Sequence, residues 1–184
     1  GVPTVVSNNP AGAQSALDYL YELGHRNIGI ITVAGKNEVS LQRLDGYRQF
    51  LKEHALPERS ELIFPARSYS YEAGEEIAGA VSSHPELTAV FCIYDEISLG
   101  LIAGLRSRGI EIPRDLSLVS FDDITVAQYS ALTTVRQNRK QIGMLAAEKL
   151  IAMIEKQDVA IPENTLVDTT LIVRESCRDI SVSR

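Results

Sequence analysis

Four apolar stretches of the chain run into polar side chains that could do chemistry. NIGIITV (27–33) is followed by Ser40 and Arg43, ELIFP (61–65) by Tyr69, AVFCI (89–93) by Tyr94 and Asp95, and LSLVSF (116–121) by the pair Asp122–Asp123. An arginine offers a rigid fork of donors, a carboxylate only acceptors, and a phenol an apolar ring face. Together they suit a small polyhydroxylated ligand. Paired hydroxyls can bridge an Arg and an Asp while a C–H face rests on a ring. Each residue also has a plainer reading. Asp95 stands where a helix N-cap is wanted, one of Asp122 and Asp123 could cap the short turn that follows, and Arg43 could be a surface residue on its helix. Residue types alone leave both readings open.

Catalysis fits less well. The chain has no GxxxxGK[ST], no GxGxxG after a strand and no GxSxG elbow. A phosphoacceptor receiver domain would carry acidic residues after its first core strand, and NIGIITVAG has none. Two carboxylates could serve general acid–base chemistry, but no nearby His or Lys completes such a site. A binding module is expected, not an enzyme; a sugar aldolase or isomerase is the weakest reading. Cys92 and Cys177 fall in no metal or redox spacing and read as free buried thiols. His25, His54 and His84 lie far apart, so neither a metal nor a cofactor is expected.

The polar residues need a frame to bring them together. VPTVVS (2–7) reads as a strand, and Asn9 with Pro10 starts a helix whose Ala13, Ala16, Leu17, Leu20 and Leu23 share one face up to Gly24. NIGIITV is continuously apolar, as a strand covered on both faces requires. Ser40 is placed as the cap of the next helix, with Leu41, Leu44, Tyr47 and Leu51 on its stripe. Ser70 caps 71–83, Asp95 caps a helix to Ser107, and LTTV (132–135) is a further strand. A helix from Asn138 to Glu155 and two closing strands near 165–173 complete the chain. The fold class is α/β, a parallel sheet with helices on both faces. In such sheets ligands sit beyond the carboxyl ends of the strands, where strand order reverses.

The bulk numbers agree with one core. The chain has 184 residues, 45% hydrophobic and 23% charged, with a net charge of −6. No Lys/Arg-rich segment would grip nucleic acid, and no apolar run is long enough to span a membrane. GVPTVV has neither an initiator Met nor a signal-peptide layout and reads as the start of a fragment or processed product.

Three longer motifs carry a family likeness. SLQRLDGYRQFL, YDEISLGLIAGLRSRGIEIPRDLSLVSFDDI and LTTVRQNRKQIGMLAAEKL resemble runs of lactose repressor/galactose repressor-type (LacI/GalR) transcriptional regulators. NNPAGAQSALDYLYELGHRNIGIIT and TTLIVRESC resemble the flanking segments. The resemblance spans nearly the whole chain. It implies the C-terminal lobe of a periplasmic-binding-protein-like (type I) core, in which a small effector, a carbohydrate, binds between two lobes and a separate helix-turn-helix binds operator DNA. Matched position by position, the effector contacts would be Arg43, Tyr69, Tyr94, Asp122 and Gln137, with Asp123 holding the loop. Tyr94 stands where some members have Asn.

The resemblance also divides the chain. Residues 1–7 would end the first lobe and its crossover, 8–135 form the effector-binding lobe, 136–160 the crossover helix of the first lobe, and 161–184 the closing strands and tail. Arg139 and Lys140, in the first turn of that helix, would face the cleft between lobes or a partner; the plainer reading is solvated surface charges. A homodimer is implied, with contacts near Leu99 and around 125–129 through Val126 and Tyr129. An exposed apolar stripe is expected on Ile142, Leu145, Ala146 and Ile154. The setting would be cytoplasmic. The alternative is a periplasmic sugar-binding protein of a transporter.

Overall fold

Ile28–Val33 (β2) is buried at every position, so each of its side chains must be met by a helix. The alternation of a strand sends Ile28 and Ile30 to one face and Ile31 and Val33 to the other. On the first face lie α1 (Asn9–Glu22) and α2 (Glu38–Glu53), whose Ala16, Leu17, Leu20, Tyr47 and Phe50 meet Phe91 and Phe121. On the second lie α3 (Tyr71–Ser82) and α4 (Asp95–Arg106), with Ala78, Val81, Ile97 and Leu101 against Val90 and Leu118. The structure, a computed structural model, describes residues 2–35, 37–155 and 162–181.

Six strands form the main sheet, in the order β3 (Ile63–Ala66), β2, β4 (Ala89–Cys92), β5 (Ser117–Asp122), β6 (Thr133–Gln137) and β8 (Thr169–Ile172). The first five are parallel; β8 runs antiparallel to β6, pairing Val135 with Leu171. β3 lies on one side of β2 and β4 on the other, so strand order reverses there. A short helix, α5 (Thr125–Tyr129), follows β5. The parallel sheet with helices on both faces is therefore as the alternation predicts, with an antiparallel edge that it does not.

A second, two-stranded sheet pairs β1 (Thr4–Ser7) in parallel with β7 (Asn164–Val167), Thr4 opposite Asn164. α6 (Arg139–Ile154) packs against β1 and has no buried residue. Lys149 donates from Nζ to the carbonyls of Thr4 (3.1 Å) and Pro162 (2.7 Å). The apolar side chains most exposed on α6 are Met144, Leu150, Ile151, Met153 and Ile154. Of the expected stripe, Ile142 and Leu145 are half-covered and Ala146 and Ile154 are exposed. The boundary expected at 160/161 lies outside the described residues.

Helix packing across the second face is unusually close. A Cβ on Gly100 would stand 1.8 Å from the Tyr71 carbonyl oxygen, and one on Gly74 2.1 Å from that of Ile97. Only glycine lets these two backbones meet at that distance. The tail returns to close the other side: Ser176 accepts the Thr133 N–H at 2.8 Å and the Leu118 N–H donates to the Ser176 carbonyl at 2.8 Å.

Several boundaries differ from expectation. Asn8, not Asn9, caps α1, accepting the Ala11 N–H. Asn37, not Ser40, caps α2. In both cases a second polar residue follows the cap within the first turn, and its side chain is used elsewhere. Asp95 caps nothing: Tyr94 is the N-cap residue of α4, with no side-chain bond. The strand expected at 61–65 is preceded by a turn of 3-10 helix, Ser60–Leu62.

Candidate ligand-binding site

The carboxyl ends of β2, β4, β5 and β6 open on one recess of about 390 Å3, within the range typical of small-molecule sites. Polar groups enter from six segments: Ser7 from β1, Asn9 from the first turn of α1, Arg43 from the second turn of α2, Asp122 and Gln137 from the ends of β5 and β6, and Arg139 from α6. Tyr94 supplies a ring, and Val5, Val6, Val39 and Ile142 line the apolar side.

Arg43 is the hub of this recess. Its guanidinium is 1% exposed. Nε donates to Asn9 Oδ1 at 3.1 Å, Nη1 to the Ile93 carbonyl, and Nη2 to Asp122 Oδ1 at 3.1 Å. The Phe121 ring lies beneath it, 3.6 Å from Cζ to ring centroid, and Tyr94 beside it at 4.8 Å. A buried cation with a carboxylate, a carbonyl and two aromatic faces is well compensated. Burial pushes the Asp122 carboxyl up, with the Arg43 charge and the Gln137 amide pulling against it. Burial likewise lowers Arg43, opposed by Asp122, yet a guanidinium stays charged. Burial raises the Tyr94 phenol, which therefore enters the site as a neutral hydroxyl.

Asp122 also accepts from Gln137 Nε2, and Gln137 Oε1 in turn accepts from Ser7 Oγ at 2.7 Å. Arg139 donates to the Asp122 carbonyl at 3.0 Å. These bonds run Asn9–Arg43–Asp122–Gln137–Ser7 and tie the end of the large sheet to β1. The backbone at this point is uncommon: Asp122 has φ +119° and Asp123 +51°. Asp123 turns away from the recess, between Arg136 (2.6 Å) and Arg174 (2.7 Å). Burial raises its carboxyl, but the bonds from the two arginines prevail and hold it below the usual range.

Of the five residues singled out in the sequence, Arg43, Tyr94, Asp122 and Gln137 line the recess. Tyr69 stands behind them, its ring edge-on to Tyr94 at 4.6 Å between centroids and its hydroxyl 3.3 Å from Ser40 Oγ. Arg139 lines the recess, whereas Lys140 is not among its lining residues. Asn9 and Ser7 were missed. The signal for Asn9 was the doublet in NNP: one asparagine suffices to cap, and the second was free for other use.

Asp95 belongs to neither reading offered for it. It is 0% exposed and accepts the Ile124 N–H at 2.8 Å and the Thr134 hydroxyl at 2.7 Å. Burial pushes its carboxyl up to about 6 against the pull of Thr134, Ser120 and Ile124. Cys92 is buried and Cys177 half-buried, both free, with thiols raised by burial to about 12 and about 11. Among the described residues no group of three His, Cys, Asp or Glu could hold a metal, and no helix is long and apolar enough to cross a membrane.

Residues 17–177 match the family model of the periplasmic binding protein-like domain. The HTH-type transcriptional repressor CytR of Escherichia coli strain K12 is 37% identical over 183 residues, covering 96% of this chain and 52% of that protein. The ribose operon repressor of Haemophilus influenzae is 34% identical over 178 residues, covering 94% and 52%. Among solved structures, a LacI family transcriptional regulator from Enterococcus faecium with bound ribose superposes with a TM-score of 0.89 at 25% identity, covering 97% of this chain and 67% of that one. The chain thus spans about half the length of the curated relatives it matches.

Proposed function

The chain belongs to the periplasmic binding protein-like domain family, in the form carried by LacI-type regulators, and from that premise we propose that it is the effector-binding part of a DNA-binding transcriptional repressor. The observation that carries this reading is the recess at the reversal of strand order, where Arg43, Asp122 and Gln137 form one bonded array facing the Tyr94 ring. Both bonds to the Asp122 carboxylate fall on Oδ1, which leaves Oδ2 to accept from a ligand hydroxyl. The ligand is a small carbohydrate or a molecule with a sugar moiety, seated against Tyr94 and the valine side of the recess.

In this reading β1, α6 and β7 belong to a second lobe, and the recess is the part of the cleft between the two lobes that this chain supplies. A ligand that binds the closed cleft better than the open one shifts the equilibrium towards closure. Closure alters the placement of DNA-binding heads on two subunits and hence operator affinity, and by linkage the operator alters effector affinity in return. The protein works as a cytoplasmic homodimer and turns nothing over. Val126 and Tyr129, 51% and 83% exposed, offer the dimer contact, with Leu99 lining the same hollow as Val126. The relatives reported above are named as repressors, which favours this reading over a transporter's binding protein.

Isothermal titration against pentoses, hexoses, disaccharides and nucleosides tests it. One class is expected to bind, and Asp122→Ala is expected to weaken that binding at least tenfold. Unchanged affinity in the variant, or no binder in the panel, would count against the reading.

A further inference from the structure

Asp95 is a buried carboxylate that feels the Arg43 charge but makes no ion pair with it. It is 0% exposed, and no arginine, lysine or histidine lies within ion-pair distance among the described residues. A charge so placed costs several kcal/mol unless it is compensated. Its compensation consists of neutral donors, Thr134, Ser120 and the Ile124 N–H, and two of the three hold the same turn. Oδ2 takes the Ile124 N–H, the first amide after the Asp122–Asp123 turn, and Oδ1 takes the Thr134 hydroxyl. Thr134 then has its lone pairs free for the Asp123 N–H, which approaches its Oγ1 at 3.4 Å. Two successive amides of the turn are thus held by one carboxylate, one directly and one through Thr134.

The turn needs such a hold. Two consecutive non-glycine residues at φ +119° and +51° are strained and persist only where their surroundings over-determine them. The Asp123 side chain is fixed by Arg136 and Arg174, but those bonds leave the backbone amides unaccounted for. The first turn of α4 favours a carboxylate at this place, because the helix dipole is positive there.

We propose that Asp95 is a positioning residue of the ligand site, locking the left-handed Asp122–Asp123 turn so that the Asp122 carboxylate faces the recess. Asp95 does not touch the recess itself; it acts through Ile124 and Thr134. The proposal rests on the reading that the recess binds an effector.

The test begins without ligand, by amide hydrogen exchange on the full chain. In Asp95→Ala the amides of Asp123 and Ile124 are expected to exchange at least tenfold faster, while those of Val119 and Phe91 in the sheet keep their rates. Asp95→Asn retains an acceptor for Ile124 and is expected to fall between. Thr134→Val, which leaves Asp95 in place, is expected to release Asp123 more than Ile124. Equal rates at the turn in all variants overturn the proposal, and so does a uniform rise across the sheet. D-ribose titration supplies the second arm: affinity is expected to fall at least tenfold in Asp95→Asn at an unchanged melting temperature. A loosened turn with unaltered ribose affinity overturns the positioning role. If wild type binds neither ribose nor any other sugar of the panel, the effector reading fails, and the exchange rates alone decide whether Asp95 holds the turn.

Discussion

The mouth of the large sheet and the α6–β1–β7 unit face one another across the same recess, yet they are built on opposite terms. At the mouth the polar groups bond to one another, Ser7, Asn9 and Arg43 are buried, and the Arg43 guanidinium has lost contact with water. Across from it, α6 has no buried residue and shows solvent a run of Leu150, Ile151, Met153 and Ile154. The first region is complete as it stands. The second has an apolar surface that its own chain leaves uncovered in the described structure.

The largest expected break in that contrast is Arg43→Ala. It would leave the Ile93 carbonyl and the Asn9 amide oxygen without the guanidinium donor and the Asp122 carboxylate without its cation, at a cost of about 3–5 kcal/mol for a broken buried pair. Urea unfolding measures it. Next comes one substitution made in both regions. Gly100→Ala drives a methyl against the Tyr71 carbonyl and is expected to cost about 1–3 kcal/mol through overpacking. Gly143→Ala on α6 meets nothing within 4 Å and is expected to gain about 0.5–1 kcal/mol from better helix propensity. Opposite signs in thermal unfolding would sharpen the comparison; equal signs would end it.

A smaller effect is expected from pH. Folding raises the Asp95 pKa from 3.8 to about 6, so the folded chain holds this proton more tightly than the unfolded one. The resulting stability is complete below pH 3.8 and is lost as pH rises through 6. Between pH 7 and pH 5 it is worth about 1 kcal/mol in favour of the acid side. Asp95→Asn should remove that increment from the difference in urea midpoints, since the neighbouring Asp122 titrates in both chains. Smallest of all, Leu150→Gln with Ile154→Gln should move stability by less than about 0.5 kcal/mol, as exposed substitutions do. Sedimentation should nonetheless show less self-association, because the apolar run is interrupted.

Much of this contrast was legible in the sequence, and the illegible part has a physical reason. Continuous apolar runs marked β2, β4 and β5, and the rule that ligands sit beyond carboxyl ends placed Arg43, Tyr94 and Asp122 at one edge before any coordinates. Gln137 came only with the family resemblance, since nothing in its own neighbourhood marks it. Asp95 was misread because a carboxylate opening a helix looks like a cap whatever it does. Its true partners, Ile124 and Thr134, are 29 and 39 residues away. On α6 the spacing predicts one stripe, but apolar residues lie all around the helix, and only packing against β1 decides which are covered.

The pairing of β1 with β7 bears on how the protein is made. Thr4 meets Asn164, so β1 waits for a partner strand made 160 residues later. At about 5–20 residues per second, translation leaves its edge open for roughly ten to thirty seconds. Through that interval the TVVS strand lacks the partner that β7 later supplies, and slowing elongation between 8 and 164 should raise the share of product lost before release.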